Sequence, residues 1–342
     1  MEVYDLLKGN HNFQFSIFNL VNMELLLNIL LFSVGLLAII KGADWLTDGA
    51  ASIARRFGIP SIVVGLTIVA IGSSAPEFVV SVLSAVQGNV DIALGNIVGS
   101  NIFNILGIMG ATALVRPVEV QRGNVRYDVP FAVLSSIVIA ITALIPGSCD
   151  TTEISRTDGL MMLCMFAIFI YYTISIAINQ KSSDQQSSHE EVLWKAIVVV
   201  IVGLACLVLG GKGMVNGASG IASAMGISES IIALTIVSIG TSAPELAASV
   251  MAAKKGDTAM ALGNVVGSVV FNVFFVLGTA AAIQPLGIGG ITPADILILL
   301  ASSVILWVFC AFGKKYYTIT RTEGTFFVIL MVAYYIYLII NS

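Results

Sequence analysis

Two segments of this 342-residue chain are copies of each other. Residues 66–104 read LTIVAIGSSAPEFVVSVLSAVQGNVDIALGNIVGSNIFN, and residues 234–272 read LTIVSIGTSAPELAASVMAAKKGDTAMALGNVVGSVVFN. They align without a gap at an offset of 168, and 23 of the 39 positions are identical. A shared apolar composition does not produce such a match, so we predict that the chain folds as two related halves.

Both halves are apolar enough to lie in a membrane. The chain is 57% hydrophobic and 11% charged, whereas a soluble domain needs roughly a quarter of charged residues to keep its surface wet. Apolar runs of about 18 residues or more, each long enough to span a bilayer, recur along the whole length. We predict an all-α polytopic membrane protein with ten transmembrane helices, near 24–46, 60–86, 92–115, 129–146, 159–178, 192–212, 228–253, 258–284, 294–312 and 323–340.

The predicted spans divide evenly between the two halves. The first five-helix repeat covers 24–179 and the second covers 192–342, with a polar cytoplasmic linker at 180–191. Residues 1–23 form an N-terminal extension, which lacks the charged, apolar and small-residue order of a signal peptide. The four cysteines indicate no disulfide framework, because three of them fall inside predicted spans.

The distribution of basic residues indicates that the second half is inverted in the membrane. Lys and Arg accumulate in short cytoplasmic loops. Arg55 and Arg56 precede the first S-A-P-E segment, whereas Lys254 and Lys255 follow the second. We expect a multi-pass protein of the cell membrane with both termini outside, and inverted repeats are typical of secondary transporters with a midplane site. This orientation places 12 of the 16 basic residues in the cytoplasm: Arg55, Arg56, Arg116, Arg122, Arg126, Lys181, Lys195, Lys254, Lys255, Lys314, Lys315 and Arg321.

Each repeat carries G-[ST]-S-A-P-E in the middle of a span, ending at Glu77 and at Glu245. Pro76 and Pro244 lack an amide hydrogen, so we expect both helices to bend or break beside the hydroxyl residues of the motif. A lone S-A-P would usually be a simple kink, but a carboxylate near the bilayer centre needs a cation, a proton or a partner. Because ligands that are all oxygen favour calcium over zinc or copper, the motif predicts a calcium site between the repeats.

A second motif, A-L-G-N-x-V-G-S-x-x-F-N, ends at Asn104 and at Asn272. Its glycines have the small-xxx-small spacing that lets helices approach closely. Ser100 lies one turn before Asn104, and Ser268 lies one turn before Asn272, so each pair shares a helix face. From the spacing alone, these asparagines could bind a cation or hydrogen-bond a neighbouring helix.

The two motifs resemble the alpha repeats of the calcium/cation antiporter superfamily, and specifically its branch of prokaryotic sodium/calcium exchangers. The resemblance covers nearly all ten spans. It implies ten transmembrane helices with helices 2, 3, 7 and 8 broken, four central ion sites, and exchange of three sodium ions for one calcium. It also implies alternating access by sliding of helices 1 and 6.

The resemblance also implies a role for individual residues. Calcium would be bound by Glu77, Glu245, Ser73 and Thr241. Sodium would be bound by the carbonyls of Ala70 and Ser238 and by the side chains of Ser74, Ser242, Ser100, Ser268, Glu77, Glu245, Asn104 and Asn272. The implied partners are calcium ions, sodium ions and the lipid bilayer; we expect a monomer without a cofactor that does not bind nucleic acid.

Three positions depart from the family pattern. Residue 73 is Ser where prokaryotic members often have Thr, and residue 269 is Val where an Asn follows the G-S pair. Residue 272 is Asn, whereas the potassium-dependent branch is associated with Asp, so potassium coupling is disfavoured.

Three other functions compete with sodium/calcium exchange. A proton/calcium exchanger of the same superfamily typically has G-N-x-x-E in place of S-A-P-E. A cation channel is disfavoured by inverted repeats around a midplane site. A membrane hydrolase, and so an enzyme, would need a nucleophile and a base within the spans, and the sequence offers no such pair. For Asp44 and Asp48, near the end of span 1, we expect solvation or a local pair rather than a transport role.

Overall fold

The computed structural model describes residues 2–145, 153–179, 193–225, 238–288 and 291–341, and these are almost entirely helical. The first-half helices are α1 (Glu2–Phe57), α2 (Ser61–Val64, a π segment Gly65–Val69, and Ala70–Ser73), α3 (Ala75–Val86), α4 (Val90–Ile102, a π segment Phe103–Ile108, and Met109–Val115), α5 (a π segment Asn124–Asp128 and Val129–Leu144) and α6 (Arg156–Asn179). The second-half helices are α7 (Leu193–Ala224), α8 (Ser238–Thr241), α9 (Ala243–Lys254), α10 (Thr258–Val270, a π segment Phe271–Leu277, and Gly278–Ile283), α11 (Pro293–Phe312) and α12 (Arg321–Asn341). Four two-residue strands join them: β1 (Val118–Glu119), β2 (Glu153–Ile154), β3 (Leu286–Gly287) and β4 (Thr318–Ile319).

The described helices are those of a polytopic membrane protein. Seven of them are long and apolar enough to cross a membrane, and the pair α2–α3, bent by 49°, makes an eighth if it counts as one span. Of the remaining two predicted spans, the one near 228–253 lies partly outside the described residues, and the other corresponds to the 21-residue helix α12. The predicted linker, 180–191, also lies outside the described residues, and the described part of the predicted extension, 2–23, belongs to helix α1.

The expected breaks in helices 2 and 7 occur at equivalent serines. Ser74 separates α2 from α3, and Ser242 separates α8 from α9. Their backbone angles are nearly the same, with φ and ψ of −82° and 11° at Ser74 and −89° and 7° at Ser242. In each case the proline is the second residue of the new helix, where a missing amide hydrogen costs nothing because no helical acceptor is available there.

The expected breaks in helices 3 and 8 were wrong. Both α4 and α10 continue without interruption, and each widens into a π segment that begins at the phenylalanine of the F-N pair, Phe103 or Phe271. A π segment accommodates an extra residue in the helix and keeps backbone hydrogen bonds that a break would lose. It re-aims side chains locally, and here it includes Asn104 and Asn272.

Helices α1 and α7 pack as an antiparallel pair with glycines at the contact. A Cβ added to Gly42 would lie 2.8 Å from the Gly203 carbonyl oxygen, and one on Gly210 would lie 2.8 Å from the Gly35 carbonyl oxygen. Small residues at such a seam let two membrane helices approach backbone to backbone. The glycines recur every seven residues in both helices, at Gly35, Gly42 and Gly49 and, 168 positions later, at Gly203, Gly210 and Gly217.

Two small antiparallel sheets connect the halves reciprocally. Strand β1, after α4, pairs with β4, with Val118 opposite Ile319. Strand β3, at the equivalent place after α10, pairs with β2, with Leu286 opposite Ile154. Each half therefore contacts the other through an equivalent strand pair. Helices α4 and α10 are the most buried of the candidate spans and lie at the centre.

Candidate functional site

Two carboxylates lie in the centre of the helical assembly. Glu77 and Glu245 occupy the first turns of α3 and α9, immediately after the breaks, and both are completely buried. The start of a helix carries a partial positive charge, which favours an acidic side chain there. That effect is modest compared with the cost of removing a charge from water, so the two acids need further compensation.

Each carboxylate accepts a hydrogen bond from the break serine of the other repeat. The Ser74 hydroxyl donates to Glu245 Oε1 at 2.7 Å, and the Ser242 hydroxyl donates to Glu77 Oε1 at 2.9 Å. The neighbouring hydroxyls of Ser73 and Thr241 lie near Glu245 and Glu77 respectively. The carboxylates are also close enough for their charges to repel each other. The structure therefore brings six predicted residues together, and only a positive charge would relieve the repulsion between the two acids.

The predicted carbonyl ligands lie one turn before the breaks. The Ala70 carbonyl accepts the amide of Ser74 at 3.0 Å and the hydroxyl of Ser73 at 3.4 Å, so part of its hydrogen-bonding capacity is already used. Ser73 also donates to Asn264 Oδ1 at 3.2 Å. Ser238 lies in α8, at the position equivalent to Ala70.

The predicted residues on α4 and α10 are fully buried. Ser100, Asn104, Ser268 and Asn272 are all 0% exposed. The hydroxyls of both serines lack a hydrogen-bond partner, as do both amide atoms of Asn104 and the oxygen of Asn272. A buried polar group without a partner costs about 1–3 kcal/mol, so such groups are rare outside functional sites.

The unpaired atoms are concentrated at this site. Among the described residues, ten buried side-chain nitrogen or oxygen atoms have no partner, and seven of them belong to the predicted ion site. Six of the seven are oxygens: one each from Glu77, Glu245, Ser100, Ser268, Asn104 and Asn272. Calcium takes 6–8 oxygen ligands, and two carboxylates balance the charge of one divalent cation. The donor chemistry therefore fits hard cations as cargo.

Sequence analysis missed two residues that hold the glutamates in place. Asn96 donates to the Glu77 carbonyl at 3.4 Å and to Ser81 at 2.9 Å. Asn264 donates to the Glu245 carbonyl at 3.2 Å and to Ser249 at 2.8 Å. Asn96 therefore connects α4 to the first turn of α3, and Asn264 connects α10 to the first turn of α9. The signal was available, because both are the Asn of the A-L-G-N that the two repeats share.

Asp44 and Asp48 form ion pairs away from the centre. Lys255, at the end of α9, lies 2.6 Å from Asp44 and 2.9 Å from Asp48, and also donates to the Asp44 carbonyl. The expected local pair was wrong, because the partner of both acids is a lysine 211 positions from Asp44, at the end of another helix. This contact ties α1 to the turn between α9 and α10.

Comparison with known proteins identifies relatives of the chain. The chain matches the family described as "Sodium/calcium exchanger protein" over residues 27–175 and 195–340. It is 36% identical to CaxA of Alkalimonas amylolytica over 90% of this chain and 97% of that one. It is 29% identical to the sodium/calcium exchanger MaX1 of Methanosarcina acetivorans over 92% of this chain and 98% of that one.

Solved structures show the same relationship. The sodium-calcium exchanger NCX_Mj, soaked with 10 mM Na+ and zero Ca2+, matches with a TM-score of 0.79 and 29% identity, covering 90% of this chain and 98% of that chain. The two family segments, the full-length relatives and this shared fold agree. The chain therefore belongs to the sodium/calcium exchanger family of membrane antiporters.

Proposed function

We propose that this protein exchanges sodium for calcium across the cell membrane by alternating access, with the ions bound between its two inverted halves. The observation that carries the proposal is the reciprocal pair of hydrogen bonds, from Ser74 to Glu245 and from Ser242 to Glu77. Each of these buried carboxylates keeps one oxygen without a partner. Two buried acids that each keep one carboxylate oxygen without a hydrogen-bond partner are suited to bind and release a cation.

The proposal assigns the ligands by repeat symmetry. Calcium is held by Glu77, Glu245, Ser73 and Thr241. Sodium is held by the remaining polar groups of the two motifs, together with the same glutamates: Ser74, Ser242, Ser100, Ser268, Asn104, Asn272 and the carbonyls of Ala70 and Ser238. The unpaired oxygens on α4 and α10 support the second set.

The proposal also includes ten membrane-spanning helices as two inverted five-helix halves, with both termini outside. The reciprocal strand pairs and the opposite positions of the basic pairs support the inversion. Helices α1 and α7 are candidates for the moving unit. α7 has 32 residues and would be about 48 Å long, which exceeds the roughly 30 Å hydrocarbon core and is long enough for a tilted crossing.

The test is calcium uptake into proteoliposomes under one gradient at a time. A sodium gradient alone, with the membrane potential clamped, should drive uptake of radioactive calcium, and a sodium ionophore should abolish it. A pH gradient alone should drive none. Uptake driven by pH alone would make the protein a proton/calcium exchanger, and calcium flux without any counter-ion would make it a channel.

A further inference from the structure

Asn101 lies on α4 between two predicted sodium ligands, Ser100 and Asn104, and it is fully buried. Its side chain leaves its own repeat and reaches α10. There it donates from Nδ2 to the Val269 carbonyl at 3.4 Å and accepts at Oδ1 from Asn272 Nδ2 at 3.2 Å. Neither the repeat motif nor the family resemblance assigns a role to this residue.

The direction of these two hydrogen bonds is determined by chemistry. A backbone carbonyl such as that of Val269 can only accept, so the Asn101 atom facing it must be the NH2 group. The other amide atom of Asn101 is then the oxygen, which in turn must face the NH2 group of Asn272. The remaining atom of the Asn272 amide is its oxygen, and that oxygen is buried without a partner.

We infer that Asn101 is a positioning residue that orients the Asn272 amide so that its oxygen, rather than its NH2 group, is presented to a bound cation. An amide in the opposite orientation would offer two donors and repel the ion. The inference rests on the proposed function, since it needs a cation to bind at Asn272.

The second repeat lacks this device. The residue equivalent to Asn101 is Val269, whose side chain cannot hydrogen-bond, and both amide atoms of Asn104 are unpaired. The two asparagines of the site are therefore not equivalent: a hydrogen bond orients the Asn272 amide, whereas none orients the Asn104 amide. The same polarity disfavours an ionised Asp at position 272, because its oxygens would face the Asn101 oxygen.

The experiment is a double-mutant comparison built on Asn101→Val, which copies the residue that the second repeat carries. The readout is the sodium concentration that gives half-maximal calcium release from proteoliposomes, with the maximal rate recorded separately. Loss of one orienting hydrogen bond should raise that concentration by about 2- to 10-fold. The same factor should appear in an Asn104→Ala background, because the Asn104 amide makes no hydrogen bond to Asn101. It should vanish in an Asn272→Ala background, because no amide remains to be oriented.

If Asn101 had only a structural role, Asn101→Val would raise the half-maximal sodium concentration by the same factor in all three backgrounds. The inference would therefore be overturned by an equal effect in the Asn272→Ala background. It would also be overturned if Asn101→Val had no effect in the otherwise wild-type protein. Size-exclusion profiles and thermal melting check that each variant folds. If Asn101→Val does not fold, Asn101→Ser provides the same comparison with a smaller side chain that reaches less far. Failure of the wild type to release calcium in response to sodium would count against the proposed function instead.

Discussion

Replacing either central glutamate by glutamine should abolish calcium transport without unfolding the protein. Glu77→Gln and Glu245→Gln keep the shape of a fully buried side chain and remove one of the two charges. A carboxylate about 4 Å from a divalent ion contributes about 8 kcal/mol at an effective dielectric constant of about 20. If the amide oxygen recovers half of that, about 4 kcal/mol is lost, so calcium affinity falls about 1,000-fold.

The assay is sodium-driven uptake of radioactive calcium at equal amounts of reconstituted protein. Glu119→Gln is the matched control, because Glu119 is an exposed acid in β1 outside the site, and it should transport normally. Both central variants should melt at or above the wild-type temperature in the absence of calcium, since removing a buried charge relieves repulsion. Retention of more than about a tenth of wild-type uptake by either variant would refute the reasoning. A decrease of less than about tenfold corresponds to less than about 1.4 kcal/mol, well below the expected loss of about 4 kcal/mol.

Three further predictions concern packing, hydrogen bonding and surface charge. Gly42→Val should destabilise the protein by about 1–3 kcal/mol, because the new side chain would overlap the facing α7 backbone. Gly95→Ala should not, because the space at its Cβ position is open. Thermal melting compares the two variants, and equal melting temperatures would contradict the close glycine contact between α1 and α7. Ser242→Ala should weaken sodium-dependent calcium exchange about 10-fold or more, because a hydrogen bond to a charged group is worth about 1.5–3 kcal/mol; unchanged kinetics would remove this hydroxyl from the site. Lys255→Ala should lower the free energy of unfolding by no more than about 1 kcal/mol, because its ion pair with Asp44 is partly exposed. High salt should reduce this loss relative to a Lys254→Ala control. A larger loss that does not change with salt would show that the contact is structural.

Much of the site could be predicted because the chain repeats itself. The residues of the G-[ST]-S-A-P-E motif recur 168 positions apart, so Glu77 and Glu245 draw attention together. The break positions also follow from local chemistry, since a proline within an apolar span interrupts the hydrogen bonding of a helix. Both inferences use only neighbouring residues and the alignment of the two halves.

The π segments were not predictable in the same way. Nothing in the composition of F-N-I-L-G-I or F-N-V-F-F-V-L distinguishes a π segment from ordinary α-helix. Whether a helix breaks, or widens and continues, depends on what packs against it. Sequence analysis therefore expected breaks where the structure has continuous helices.

The sequence by itself determined which residues are equivalent, where two helices must break, and that two acids fall within apolar spans, because these follow from local covalent chemistry and from the repeat. Only the tertiary structure decided that each break serine bonds to the acid of the opposite repeat, that Asn101 bonds across the halves to Asn272, and that Lys255 pairs with α1. Those contacts join residues 171, 165 and 171 positions apart for the hydrogen bonds and 211 apart for the lysine. These contacts depend on how whole helices pack, and the sequence pattern does not give the distances between residues of different helices.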